Sequence, residues 1–240
     1  MFHSLPNPEP DTSSAVELRN RWAFVDLLVF GFFFMAMLIA IAPLARLPVI
    51  YAIPLQALFN VALVGFIAGW VRLVRRSSFA EYIHFFRSRT FSTRSLVGVG
   101  VTSAVSVLLL SAFLPSSGQT PLEKLLTTRS AIAIFAVFGV AVAPLLEEII
   151  FRGFLFKVLW EIGGSRMAIV FTAGLFALLH AGQLAGNWGS VALIFLVGCL
   201  LSFVRHRSNS IIPSFIVHTS YNATLFALFA VSSIAQKFAK

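Results

Sequence analysis

AIAIFAVFGVAVAPLLEEIIFRGFLFKVLW, residues 131–160, carries charge only at Glu147, Glu148, Arg152 and Lys157. A mostly apolar run of this length exceeds the ~20 residues needed to cross a hydrocarbon core of ~30 Å, so it predicts a membrane-spanning helix. Working outward, six more apolar stretches stand at 22–43, 50–72, 95–114, 166–182, 188–205 and 210–235. The expected fold is therefore all-α, a polytopic membrane helical bundle of about seven transmembrane helices.

Composition agrees. Of 240 residues, 58% are hydrophobic and 11% charged, and the mean hydropathy is +0.91. Against a usual charged fraction near ~25%, this excludes a disordered chain and argues against an ordinary soluble domain. The net charge of +9 does not point to nucleic acid, because the basic residues are spread between apolar segments. Membrane lipid headgroups are the expected partner for that charge. The single cysteine, Cys199, allows neither an internal disulfide nor a Cys-based zinc site.

With seven spans, twelve basic residues fall on the side of the N-terminus and five on the other, leaving Arg152 within a span. By the positive-inside rule the N-terminus is expected in the cytoplasm and the C-terminus outside. Trp22, Trp70, Trp160 and Trp188 all lie at expected span ends, where interfacial aromatics belong. Residues 1–21 read as a polar, mobile tail with no signal-peptide pattern, and residues 22–114 as a three-helix membrane part. Within the latter, FAEYIHFFRSRTFS (79–92) reads as an interfacial amphipathic segment on the cytoplasmic face. Residues 130–235 form the second membrane part.

The informative residues are the polar ones inside spans, which cost about 2.5–3.5 kcal/mol each on insertion scales and are usually functional. Glu148 and Arg152 are four apart and can pair along one helix face. Glu147, ~100° round the helix, has no partner in its own segment. An enclosed carboxylate without a counter-charge holds a proton readily, the condition for a general base near neutral pH. Pro144 removes a backbone donor just before the pair and is expected to kink or open the helix.

Two later spans add polar groups at similar depth. FALLH places Phe176 and His180 on one face, and HTSYN places His218 and Asn222 on another. Counted from cytoplasmic flank charges at 1.5 Å per residue, Glu147, His180, His218 and Asn222 lie ~15–22 Å deep. Independent packing residues have no reason to share a level. The remaining polar groups do not join this set: His3, His84 and His206 are expected to be solvated, Asp26 to reach the interface, and Lys157 and Arg166 to be flank charges.

Taken in order, Glu-Glu-x-x-x-Arg (Glu147, Glu148, Arg152), Phe-x-x-x-His (Phe176, His180) and His-x-x-x-Asn (His218, Asn222) resemble the motifs of the CAAX protease and bacteriocin-processing (CPBP, or ABI) family of intramembrane endopeptidases. The resemblance covers roughly residues 130–228. It implies a CAAX-type hydrolase, a prokaryotic-type member, in which Glu147 activates water and His180 holds that water or shuttles its proton. His218 and Asn222 would bind the developing oxyanion, while Glu148 and Arg152 would organise the site. Family members often have eight spans, so eight are possible here. The implied substrate is a peptide or membrane-associated protein, and the implied setting is a prokaryotic plasma membrane.

No cofactor is expected, since Asn222 is a poor zinc ligand and a good oxyanion donor. The alternative is one Zn²⁺ held by His180, His218 and Glu147 with an open fourth position. A different class of reading, a non-enzymatic transporter, proton conduit or scaffold, would more plausibly show paired halves with interrupted helices, and none is visible.

Overall fold

The computed structural model describes residues 12–43, 51–115, 132, 136–184 and 186–238. Among them every regular element is helical: α1 (Thr12–Ile41), α2 (Ala52–Leu73), the single turn α3 (Phe79–Tyr82), α4 (Thr93–Ser111), α5 (Ala143–Glu148), α6 (Phe156–His180), α7 (Trp188–Ser208) and α8 (Ile211–Phe238). α5 lies between two π-helical stretches, Phe138–Val142 and Ile149–Leu155. Six helices are long and apolar enough to cross a membrane, the longest running 43 residues from Phe138 to His180.

That longest helix does not run straight. Gly163 and Gly164 have non-helical backbone, with Gly164 at φ 76°, a left-handed conformation that glycine adopts without steric cost. Beyond it the chain doubles back, so that the Phe151 and Phe176 rings meet at 5.2 Å. Twenty-five residues of straight helix would hold them ~37 Å apart. The described chain therefore makes seven passes, the number expected from hydropathy.

The distribution of side chains is inside-out relative to a water-soluble protein. Leu28, Phe32, Leu109 and Trp188 are exposed, whereas Asp26, Glu148, Arg152 and Arg205 are completely buried. Outward apolar faces suit lipid tails, and charge is admitted only where other protein groups meet it. The protein is an integral membrane protein.

One hydrophobic core joins Phe30 and Phe34 of α1, Phe59 and Leu63 of α2, and Phe151, Phe154 and Phe176. A second joins Leu96 and Ala104 of α4 to Leu201 of α7 and Val217 and Tyr221 of α8. α4 packs chiefly on α8, α1 on α6, and α6 on α7. Helix ends are set locally: Ser92 accepts from the Ser95 amide and Asn187 from the Ser190 amide, filling orphan N-terminal donors. Asn209 ends α7 in the left-handed conformation.

The loops sort onto two faces. Ile211 N donates to His84 O at 3.2 Å and Ser210 Oγ to Phe86 O at 2.5 Å, bringing the loop after α2 against the turn before α8. At the opposite end Asn187 Nδ2 donates to Pro115 O at 2.9 Å.

Several sequence expectations change. Helix α1 begins at Thr12, well inside the expected tail, because no proline or glycine follows Pro10 until Gly31 and nothing interrupts propagation; His3 and the rest of residues 1–11 lie outside the described residues. Segment 79–92 contributes only one helical turn, with Tyr82 and Ile83 buried in the core. His84 is half-buried, and its ring Nδ1 donates to Asn209 O at 3.2 Å. His206 is half-buried and edge-on to Trp160 at 5.6 Å. Asp26 does not reach the interface, because partners from α2 and α3 enclose it. The linker at 116–130 lies outside the described residues.

Candidate active site

The acidic pair sits where the fourth pass is unusually wound. Pro144 cannot donate to the preceding turn, and the helix is π-wound over Phe138–Val142 just before it and again over Ile149–Leu155. The expected kink is thus replaced by two wide stretches flanking a short α-helical segment, a feature frequent at functional sites. Glu147 and Glu148 end that segment on different faces.

Glu148 is fully enclosed and saturated on one oxygen. Its Oε1 accepts from Arg152 Nη1 at 3.1 Å and from His218 Nδ1 at 3.0 Å. Arg152, also completely buried, sends Nη2 to the Gly198 carbonyl at 3.1 Å and stacks over the Phe176 ring at 4.6 Å. Gly198 can offer that carbonyl because α7 approaches α6 closely there: a Cβ on Gly198 would lie 3.0 Å from that of Ala173. The ion pair therefore connects the fourth, fifth, sixth and seventh passes, which makes it expensive to break.

Glu147 is treated differently. Its side chain keeps 15% of its surface, and Oε2 stands 3.8 Å from Nε2 of His218. His218 thus lies between the two carboxylates, with Nδ1 on Glu148 and Nε2 towards Glu147. Phe176 is edge-on to His218 at 5.8 Å and tilted over His180 at 4.4 Å. His180 Nδ1 donates to the Phe176 carbonyl at 2.7 Å, so the neutral ring keeps Nε2 as its acceptor.

Glu147 and His180 line the same cavity of about 290 Å³, walled by Phe34, Leu38, Phe59 and Leu63 from α1 and α2. Asn222 is not among its lining residues; Nδ2 donates to Gly139 O at 2.8 Å and carries a second hydrogen. The structure therefore brings Glu147, Glu148, Arg152 and His218 into one cluster, with His180 beside it on the cavity wall and Asn222 one helical turn along α8.

Among the described residues no three His, Cys, Asp or Glu side chains group closely enough to hold an ion; the Nδ1 bonds of His180 and His218 leave each Nε2 free and fix the ring orientation.

Residues 129–224 match the family model described as type II CAAX prenyl endopeptidase Rce1-like. This part of the chain is similar to that family. The match contains all six candidate residues, whereas α1, α2 and α4 lie outside it. Two relatives come from Lactococcus lactis subsp. lactis. UPF0177 protein YxdF is 30% identical over 120 residues, 49% of this chain and 63% of its own length. UPF0177 protein YajF is 36% identical over 78 residues, 32% of this chain and 35% of its own length. No solved structure matches the chain.

Beneath this cluster lies Arg205, one of the basic residues counted on the side of the N-terminus. Arg205 is completely buried and donates from Nε to the carbonyl of Arg152 at 3.0 Å and from Nη1 to Asn209 Oδ1 at 3.3 Å. It braces the π-wound stretch that carries the ion pair. A basic residue at the end of an apolar run gives no signal that separates this role from an ordinary flank charge.

Proposed function

We propose that this chain is an intramembrane endopeptidase that hydrolyses a peptide bond in a peptide or membrane-associated protein, with Glu147 as general base. The observation that carries the reading is the unequal setting of two adjacent carboxylates. Glu148 is enclosed and engaged by Arg152 and His218, whereas Glu147 faces an apolar cavity beside His180, with one contact at 3.8 Å.

In this mechanism Glu147 takes one proton from a water whose other hydrogen is accepted by His180 Nε2. The resulting hydroxide attacks the carbonyl carbon. Negative charge on the carbonyl oxygen is met by Nε2–H of His218, when that ring carries both protons, and by the second Nδ2 hydrogen of Asn222. Glu147 then passes its proton to the leaving amine. Glu148 and Arg152 act by holding His218 and the helix in register.

No metal enters the scheme, and the membrane is proposed to be a prokaryotic plasma membrane with the N-terminus in the cytoplasm. That orientation follows from the distribution of basic residues; periplasmic-type reporter activity in a C-terminal fusion would agree with it, and cytoplasmic reporter activity would reverse it.

The test uses the purified full-length protein in detergent and a quenched-fluorescent, farnesylated peptide ending in Cys-aliphatic-aliphatic-X, beside an unprenylated copy. Cleavage of either peptide by wild type and not by Glu147→Gln is expected. Turnover should survive prolonged phenanthroline treatment with metal content measured on the same sample. Activity that disappears and returns with stoichiometric Zn²⁺ would make His180 and His218 ligands and remove Glu147 from the base role assigned here.

A further inference from the structure

The cavity beside Glu147 has a second polar feature, and it comes from the half of the chain outside the Rce1-like match. On α2, Gln56 and Asn60 are four apart and line the cavity together with Phe59 and Leu63. Gln56 Nε2 donates to Asn60 Oδ1 at 3.2 Å. Asn60 is only 4% exposed, yet its Nδ2 has no hydrogen-bond partner among the described residues. A buried donor left unpaired costs about 1–3 kcal/mol, and an asparagine gains nothing from apolar walls that a leucine would not gain more fully.

We infer that Gln56 and Asn60 form a binding site for the main chain of the substrate, with Asn60 Nδ2 donating to a peptide carbonyl. The inference rests on the endopeptidase reading for the presence of a peptide, and it adds a recognition element on α2. Three observations fix the class of ligand. First, Nδ2 is a donor, so the ligand atom is an acceptor. Second, the described lining contains no Lys or Arg, and Glu147 is its acidic member, so an anionic acceptor such as a C-terminal carboxylate would meet repulsion and no counter-charge. A neutral carbonyl meets neither penalty. Third, the bond from Gln56 to Asn60 uses one amide's donor and the other's acceptor. The pair therefore offers Gln56 Oε1 as an acceptor and Asn60 Nδ2 as a donor, the complement of a peptide unit. An extended peptide among Phe34, Phe59 and Leu63 would otherwise leave those groups unpaired, away from water.

A hydrogen bond made equally in the ground and transition states raises KM when lost and leaves kcat unchanged. Asn60→Leu, which keeps the branching and number of heavy atoms, is expected to raise KM for the farnesylated peptide about 3–10-fold with kcat preserved, the range of a neutral hydrogen bond. A second arm does not depend on how the variant folds. Single thioamides, weak acceptors, are placed in turn along the peptide; one position should raise KM several-fold with wild type and cost nothing extra with Asn60→Leu. A third arm measures binding of the same peptide, fluorescein-labelled, to inert Glu147→Gln protein and to Glu147→Gln/Asn60→Leu, with the same 3–10-fold loss expected.

Turnover by wild type with KM, Kd and the thioamide profile all unaltered by Asn60→Leu would overturn the inference and leave the endopeptidase reading standing. Loss of peptide binding in the third arm, when wild type never cleaves, would support the site and sink the hydrolase. A large fall in kcat with KM unchanged would overturn the inference by making Asn60 part of the chemistry.

Discussion

Asp26 and Glu147 are carboxylates set within passes of the same bundle, and the structure puts them to opposite uses. Asp26 is completely enclosed: Trp70 Nε1 donates to Oδ1 at 2.8 Å, Tyr82 Oη to Oδ2 at 2.6 Å, and Arg75 Nε stands 3.6 Å from Oδ2. Arg75 lies over the Trp22 ring and Lys157 Nζ over that of Tyr82, at 5.2 and 4.3 Å. Every group around Asp26 satisfies it, so it fastens α1, α2 and α3 together and has no capacity left for chemistry. Glu147 has a cavity on one side and a distant histidine on the other. Burial makes a carboxylate consequential; the completeness of its partners separates a structural group from a reactive one.

The largest effect expected from this contrast is on turnover. Glu147→Gln keeps the volume but cannot take a proton, so peptide hydrolysis should fall about 10²–10⁴-fold with the thermal midpoint in detergent unmoved. Residual turnover above a tenth of wild type would place the base elsewhere.

Next comes Arg152→Ala, which strands Glu148 in the interior. Breaking a buried pair in this way costs about 3–5 kcal/mol, and both folded yield and activity should drop. Wild-type thermal stability would mean that water reaches the pair.

Asp26→Ala should show the converse of Glu147→Gln. It unpairs Trp70 Nε1 and Tyr82 Oη at about 1–3 kcal/mol per group left buried, lowering the midpoint while turnover per folded molecule stays at the wild-type level. If hydrolysis collapsed without loss of stability, the division between fastening and reacting carboxylates would be wrong.

The smallest effect concerns the loop that leads away from the Asp26 knot. Burial first, and then the charge of Arg205, lower His84 from its ordinary value to about 4, against the opposing bond to Asn209 O. The folded state thus favours the neutral ring. Its contribution is complete above pH ~6.5 and declines as the pH falls towards 4, where the unfolded chain binds the extra proton. Between pH 7 and 5 the midpoint should fall by a few degrees, and His84→Gln should reduce that slope. An unchanged slope would show that other groups carry the pH dependence.

The span count was legible because hydropathy reports a one-dimensional property, and Gly163-Gly164 marks the turn that makes seven passes from six long helices. The pairing of Glu148 with Arg152 was legible too, since a charge in an apolar run demands a partner wherever it lies; that His218 joins them was not. Arg205 and Asp26 were not. Each stands near the end of an apolar run, where a charge can bend outwards to water or inwards to protein, and the sequence does not distinguish these directions. The buried position of Tyr82 and the half-buried one of His84 escaped for the same reason, because an aromatic and basic loop suits a membrane surface as well as a core.

By itself, then, the sequence determined that the chain is a helical membrane bundle and that Glu147, Glu148, Arg152, His180, His218 and Asn222 are its unusual residues, because the cost of polar groups in hydrocarbon is local to each position. Only the tertiary structure decided which carboxylate is engaged by charged partners and which faces a cavity, and that α1 and α2 wall that cavity beside Asn60. Partnership depends on which helices are neighbours and how they are rotated, and packing of the whole bundle fixes both.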